Sequence, residues 1–408
     1  MKKIELLAPA GSLEKLKTAV YYGADAVYVG GECFSLRTAA ENFTMDQLKE
    51  GIEFAHKHGV KVYLALNAFP HNRDIDELKS YITEIAKTDI DAVIVADLGA
   101  FVLVSELAPS MEIHISTQAN TVNHVTAASW YKMGAKRVVL ARELSFEEIK
   151  EIRDKTAVGL ELEMFVHGAM CVSYSGRCLL SNYLVGRDSN KGDCAQPCRW
   201  KYSVVEEKRP NEFIPLEETD RGSFVFNSKD LCLIKRIPEL ISAGVTSLKI
   251  EGRVKTEYYV ASVVKIYREA IDAYYRDPEN YHFKEEWMSE LEKVSHRPYW
   301  EGFCFGDELG QNYATSNYIR EYDVIGVLKS YDEQTGIAEI IQKNRFFRGD
   351  EIEVISPFEE GFYSFNANFM QDEKGYDIKA APHAEMVVRL MPGRKISPNS
   401  IFRKKREG

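Results

Sequence analysis

The sequence predicts an α/β protein: a (β/α)8 TIM-type barrel with a long Cys-rich insertion before the last strand, plus a small C-terminal all-β barrel domain. Three observations predict it. Short β-prone runs alternate with amphipathic helical stretches over residues 1–275, and repeated βα units imply a parallel sheet buried on both faces. Eight such strands can be placed, the number that closes a barrel. Polar residues stand just past the strand C-termini, on the rim where such barrels carry their sites. An open doubly wound sheet would also put ligands there, but no Gly-rich dinucleotide fingerprint follows the first strand.

The elements follow in order. Ile4–Leu7 is apolar and ends at Pro9-Ala10-Gly11, and Leu13, Leu16, Ala19 and Val20 then recur at helix spacing. Ala26–Val29 is the next strand, closed by Gly30-Gly31. Thr44–His58 reads as a helix whose Thr44 and Gln47 form a capping box. Lys61–Leu66 ends at Asn67, Asp74–Lys87 is helical, and Ala92–Ala96 ends at Asp97. Glu112–Ser116 leads to Gln118 and Asn120, and Arg137–Ala141 to Arg142-Glu143. Ser145 caps a helix containing Glu148. Leu160–Val166 ends at His167-Gly168, Ser247–Ile250 at Glu251-Gly252-Arg253, and Thr256–Tyr275 is a long helix.

Between the seventh and eighth strands lies an insertion of about 80 residues, 168–246, and a connection of that length is usually functional. It carries hairpin-like runs at Lys201–Val205 and Ser223–Phe226. Helical periodicity ends near His296, which divides the chain into residues 1–295 and 296–408. The second part holds β-prone runs at Ile325–Leu328, Gly336–Ile341, Glu351–Val354, Asp377–Ile378 and Glu385–Leu390. Its final basic run, Arg403-Lys404-Lys405-Arg406, reads as a solvated tail, with an RNA contact as the alternative.

With 52 Lys+Arg against 62 Asp+Glu, the formal charge of −10 excludes coating of nucleic acid by bulk charge but leaves room for a local basic patch. No secretory leader opens the chain and no apolar window of about 18 residues appears. The expected compartment is the cytoplasm, where structural disulfides are rare.

The seven cysteines therefore need another role. Five, Cys171, Cys178, Cys194, Cys198 and Cys232, lie in the insertion, whereas Cys33 stands near the rim and Cys304 reads as a packed core thiol. Clustered thiols point to zinc or an iron–sulfur cluster before disulfides. Their spacings match neither common zinc knuckles nor ferredoxin runs, and buried free thiols or a redox pair remain open. Arg177, Arg187, Lys191 and Arg199 stand among them, and cations favour thiolates. Glu161 and Glu163 alternate with Leu160 and Leu162; facing the barrel interior, they would need partners such as Arg142 or Lys249.

Glu163-Met-Phe-Val-His167-Gly168-Ala-Met-Cys171 with Ser175-Gly176-Arg177-Cys178-Leu-Leu-Ser181 closely resembles the signature of collagenase-like peptidase family thirty-two, of unassigned catalytic type. Gly192-Asp193-Cys194-Ala-Gln-Pro-Cys198-Arg199, Asn227-Ser228-Lys229-Asp230-Leu231-Cys232, Leu7-Ala-Pro9-Ala-Gly11 and Lys249-Ile-Glu251-Gly252-Arg253 look like further family blocks. The resemblance covers essentially the whole chain. Members of this shape resemble tRNA hydroxylation proteins, which help install 5-hydroxyuridine at the tRNA wobble position without oxygen, with prephenate as the supposed hydroxyl source. Relatives acting on ubiquinone precursors bind a [4Fe-4S] cluster through four cysteines. The resemblance thus implies Cys171, Cys178, Cys194 and Cys232 as metal ligands, with Cys198 as a competitor.

The chemistry favours redox over hydrolysis. The sequence has no H-E-x-x-H helix and no G-x-S-x-G elbow, although Cys171 and His167 could imitate a Cys–His pair. The expected function is tRNA uridine hydroxylation, with His167, Arg142 and Glu251 as catalytic candidates. Asn67, Gln118, Asn120, Arg142 and Arg253 would bind the small carboxylate donor, and tRNA is the expected partner. A collagenase-like peptidase and a non-enzymatic RNA-binding protein with a structural four-cysteine Zn site are the alternatives. Assembly into a homo-oligomer, or with a related subunit, is left open.

Overall fold

The structure is a computed structural model of the chain that describes residues 3–36, 41–171, 173–200, 203–206, 209–215, 229–305, 318–357 and 362–406. Six βα units come first. They are β1 (Glu5–Pro9) and α1 (Leu13–Tyr21), β2 (Ala26–Gly30) and α2 (Met45–Lys57), β3 (Lys61–Leu66) and α3 (Ile75–Ile85), β4 (Ala92–Val95) and α4 (Leu98–Leu107), β5 (Glu112–Ile115) and α5 (His124–Met133), and β6 (Arg137–Val139) and α6 (Phe146–Asp154), followed by β7 (Glu161–Ala169) and the insertion helix α7 (Leu180–Val185). A hairpin, β8 (Ser203–Glu206) and β9 (Arg209–Pro215), precedes β10 (Asp230–Cys232), α8 (Ile237–Ser242), β11 (Ser247–Ile250) and α9 (Glu257–Arg276). The expected run at Ser223–Phe226 lies outside the described residues.

Strands β1 to β7 pair in parallel in chain order, and β11 pairs in parallel with both β1 and β7, which closes the eight-stranded barrel. The ends of the helices are chemically specified. Thr44–Gln47 and Ser145–Glu148 form capping boxes on α2 and α6, and Asp97, Asn123 and Thr256 accept backbone N–H groups at the starts of α4, α5 and α9. The main core lies between strands and helices, while a small apolar cluster of Leu7, Ala26, Tyr28, Tyr63, Ala92 and Ile94 fills the barrel interior.

The interior also holds an ionic network. Arg137 is buried and bonds Glu5 (2.6 Å), Glu161 (2.6 Å) and Glu163 (2.9 Å), and the Lys249 ammonium reaches the other oxygen of Glu163 at 2.9 Å. Tyr63 and Ser247 donate to Glu5 at 2.7 and 2.8 Å. Glu161 and Glu163 thus find Arg137, and Glu163 also finds Lys249; Arg142 serves neither.

The strand β7 extends beyond the barrel, and its end pairs antiparallel with β10, placing Cys232 opposite His167. Between the Lys249–Phe165 and Ile250–His167 pairs the register shifts by one residue on β7. Such a bulge reverses the alternation of side chains. His167 therefore shares a face with Ile250, not with Lys249.

The C-terminal β unit is a seven-stranded antiparallel half-barrel with its own core, including Ile325, Ile340, Phe346, Ile352 and Phe402. The run expected at Asp377–Ile378 forms a single bridge, Asp377 to Gln371. The final basic run is not a solvated tail. Ile401–Lys405 is an inner strand between Tyr322–Asp332 and Glu351–Ile355. Arg403 is fully buried, donating to Glu290, to Glu353 and to the Tyr258 hydroxyl, while Lys404 pairs with Asp350 and Arg406 with Asp323. Carboxylates from distant parts of the chain pair with Arg403, Lys404 and Arg406.

Candidate functional site

A cavity open to solvent occupies the C-terminal mouth of the barrel. Its floor is Tyr28, Ile94, Phe165 and Lys249. The Lys249 ammonium is held by Glu163 and lies 4.4 Å from the centre of the Tyr28 ring. Burial alone would raise the Glu163 carboxyl, but Lys249 and Arg137 overcome it and hold it at about 2, so Glu163 is a fixed anion that anchors both cations.

The wall carries most of the expected polar residues. Arg142 lies over Phe165, 3.8 Å from the ring centre, donates to the Ala169 carbonyl at 2.9 Å and faces Glu251 at 3.5 Å. Arg253 is buried and donates to Ser35 at 2.8 Å. Its path depends on glycine: a Cβ on Gly30 would stand 1.7 Å from the Arg253 guanidinium, and one on Gly11 2.0 Å from the Arg253 carbonyl oxygen. Asn67 accepts the Leu36 N–H at 3.3 Å, and Gln118 is buried beside it. Glu143 accepts both the N–H and the hydroxyl of Ser175, each at 2.6 Å, and so holds Ser175 at a φ of 43°. A non-glycine residue keeps that left-handed backbone only where its surroundings compensate for it.

The insertion supplies the roof. Cys171, Cys178, Cys194 and Cys198 all line the cavity. The Cys178 sulfur accepts the Leu180 N–H and the Cys194 sulfur the Gln196 N–H, each at 3.3 Å. Hydrogen bonds of this kind to sulfur accompany cluster-bound thiolates. Among the described residues, no three His, Cys, Asp or Glu side chains converge closely enough to grip a metal ion. By chemistry the donor set nonetheless suits a four-sulfur site, because four soft ligands line one cavity together with Arg142, Lys249 and Arg253.

Three candidates lie away from the cavity lining. Asn120 is outside it, donating to the Tyr174 carbonyl at 3.2 Å. His167 is buried against Tyr259, Tyr267 and Tyr299, and burial lowers its pKa to about 3, so the imidazole is neutral. The bulge in β7 turns it out of the barrel, and the imagined pairing with cavity-lining Cys171 dissolves. Cys232 is buried on β10, and burial pushes its thiol up to about 12. The cavity lining thus includes Cys198, and not Cys232, with Cys171, Cys178 and Cys194. Cys33 faces Glu77 at 3.5 Å and does not line the cavity, whereas Cys304 packs in the core as expected.

Tyr28, Phe165, Lys249 and the Glu143–Ser175 pair escaped the sequence reading as site residues. Lys249 and Glu143 do occupy the expected rim positions. No spacing in the sequence shows that Glu143 reaches a residue 32 positions away.

The family model for peptidase family U32 matches residues 11–313, and that for the peptidase family U32 C-terminal domain matches 320–403. The chain is 43% identical over 405 residues to tRNA hydroxylation protein P1 of Bacillus subtilis, covering 99% of this chain and 95% of that one. It is 38% identical to tRNA hydroxylation protein P of Escherichia coli, covering 94% and 92%. Collagenase of Porphyromonas gingivalis is 34% identical, with 86% of each chain covered.

Proposed function

The chain belongs to peptidase family U32, and on that footing we propose that it is a tRNA-modifying enzyme that hydroxylates the wobble uridine at C5 without oxygen. One observation carries the reading: four thiols from the insertion and three cations from the barrel line a single cavity at the strand C-termini. Two full-length relatives bear names of tRNA hydroxylation proteins, which supports the same reading.

The thiols would hold a [4Fe-4S] cluster. Cys171, Cys178 and Cys194 are common to both arrangements of ligands. Cys198 is the fourth thiol by placement, Cys232 by family resemblance. A bound cluster supplies one-electron redox capacity, or a Lewis-acidic iron where one corner lacks a thiolate. Arg142, Arg253 and Lys249 suit a small carboxylate donor such as prephenate, since guanidinium and ammonium groups make charge-assisted hydrogen bonds to carboxylates. Phe165 and Tyr28 offer the donor an apolar floor, and Asn67 and Gln118 offer amide contacts. Glu251 faces Arg142 and restrains its swing.

Nucleoside mass spectrometry of tRNA from a strain lacking the gene tests the reading. The expected result is loss of 5-hydroxyuridine and its derivatives, restored by the wild-type gene but not by Cys171→Ser or Cys178→Ser. Unchanged tRNA nucleosides would refute it. Gelatin cleavage by the purified protein, abolished in Cys171→Ala, would install the peptidase reading in its place. Separate Cys198→Ser and Cys232→Ser variants assign the fourth ligand: the one that lowers iron content is the ligand.

A further inference from the structure

We propose that the exposed aromatic face of the Cys-rich insertion is a stacking platform for unpaired RNA bases next to the uridine entering the cavity. The proposal rests on tRNA being the substrate, and adds where the RNA sits.

The helix α7 is polar inside and apolar outside. Ser181 is its buried residue, and its hydroxyl accepts the Ala195 N–H at 3.0 Å. Tyr183 is 85% exposed, and Leu179, just before the helix, is 74% exposed. Trp200, directly after the Pro197–Arg199 turn that packs on α7, is 46% exposed. Scattered single apolar residues on a surface need no explanation, but an inverted helix with an exposed Tyr and a neighbouring Trp marks an interaction surface. Among the described residues, neither ring stacks on another.

Two features select RNA as the occupant. The surface is continuous with the cavity mouth, because Leu180 of α7 and Pro197 of the turn both line the cavity. Residues 171–200 also hold four Lys or Arg against two Asp, in a chain whose net charge is −10. Two of those cations are paired, Arg187 with Asp193 and Lys191 with Asp74, yet exposed rings in a segment of positive net charge match single-stranded nucleic acid, whose bases stack on aromatic faces while its phosphates meet basic side chains. A uridine that enters the barrel must leave its own stack, and its displaced neighbours need new faces.

The test measures binding of the anaerobically purified full chain to an anticodon stem–loop containing a wobble uridine, by fluorescence anisotropy, with sedimentation run in parallel. Tyr183→Ala and Trp200→Ala are each expected to weaken binding about tenfold. Tyr183→Phe is expected to bind like the wild type, because a ring is retained. Full affinity in both alanine variants would overturn the platform while leaving the tRNA reading intact. Variants that change sedimentation but not RNA affinity would show a self-association surface and overturn it too. Failure of the wild type itself to bind the stem–loop would remove both.

Discussion

Removing the Arg137 guanidinium would leave Glu5, Glu161 and Glu163 facing one another in the barrel interior. Breaking a buried ionic network by deleting one partner costs roughly 3–5 kcal/mol, because the charges left behind stay desolvated. Arg137→Met is therefore expected to lower unfolding stability by about that amount in urea titrations. Acid should act on the same interior. Glu163 is held at about 2 in the folded chain, below its unfolded value, so its contribution is complete above about pH 4.5 and fades as pH falls toward 2. His167 is held neutral, near 3, so folding loses ground once pH drops below about 6.5, where the unfolded imidazole takes a proton. Both effects share a sign: thermal stability should decline steadily from about pH 6.5 downward. His167→Gln should flatten the upper part of that decline. Hydroxylation at neutral pH should survive the change, since the imidazole faces the tyrosines of α9 and not the cavity.

At the scale of elements, the close approach of β2 and of the turn after β1 to the loop after β11 explains two glycines, Gly30 and Gly11. Gly30→Ala drives a methyl group into the Arg253 guanidinium, so it should mimic Arg253→Ala in hydroxylation assays while leaving the helical circular dichroism intact. The double variant should be no worse than either single one, because the two changes remove one and the same group from the cavity. Capping boxes and alternating apolar runs made α2, α6 and the eight barrel strands legible from local pattern, since each signal lies within one element. The bulge in β7 was not legible. It depends on how β7 registers against β11, some 80 residues away, and it alone decides that Phe165 faces the cavity and His167 does not. Rim residues such as Asn67, Gln118, Arg142, Glu251 and Arg253 were readable because strand ends converge in any closed barrel. Asn120, one turn farther out, was overreached by the same rule.

At the scale of the molecule, Arg403 ties the half-barrel to the helical layer through Glu290 and Tyr258, and Tyr22 of the barrel donates to the Ile355 and Asn399 carbonyls at 3.0 Å. Arg403→Ala is expected to loosen this contact, seen as faster proteolytic cleavage between the two parts and a lower unfolding midpoint. The basic run misled the sequence reading because its neutralising carboxylates come from residues 290, 323, 350 and 353, and charge pattern alone cannot show a partner that distant. In the proposed function the insertion and the cavity mouth form the face that meets tRNA. The central claim is that the insertion's thiols hold an iron–sulfur cluster there, and elemental analysis of anaerobically purified protein, read together with its visible absorbance, tests it most directly. About four iron and four acid-labile sulfide per chain are predicted, with iron lost in Cys171→Ser and Cys178→Ser; a colourless protein carrying stoichiometric zinc, or no metal at all, would contradict it.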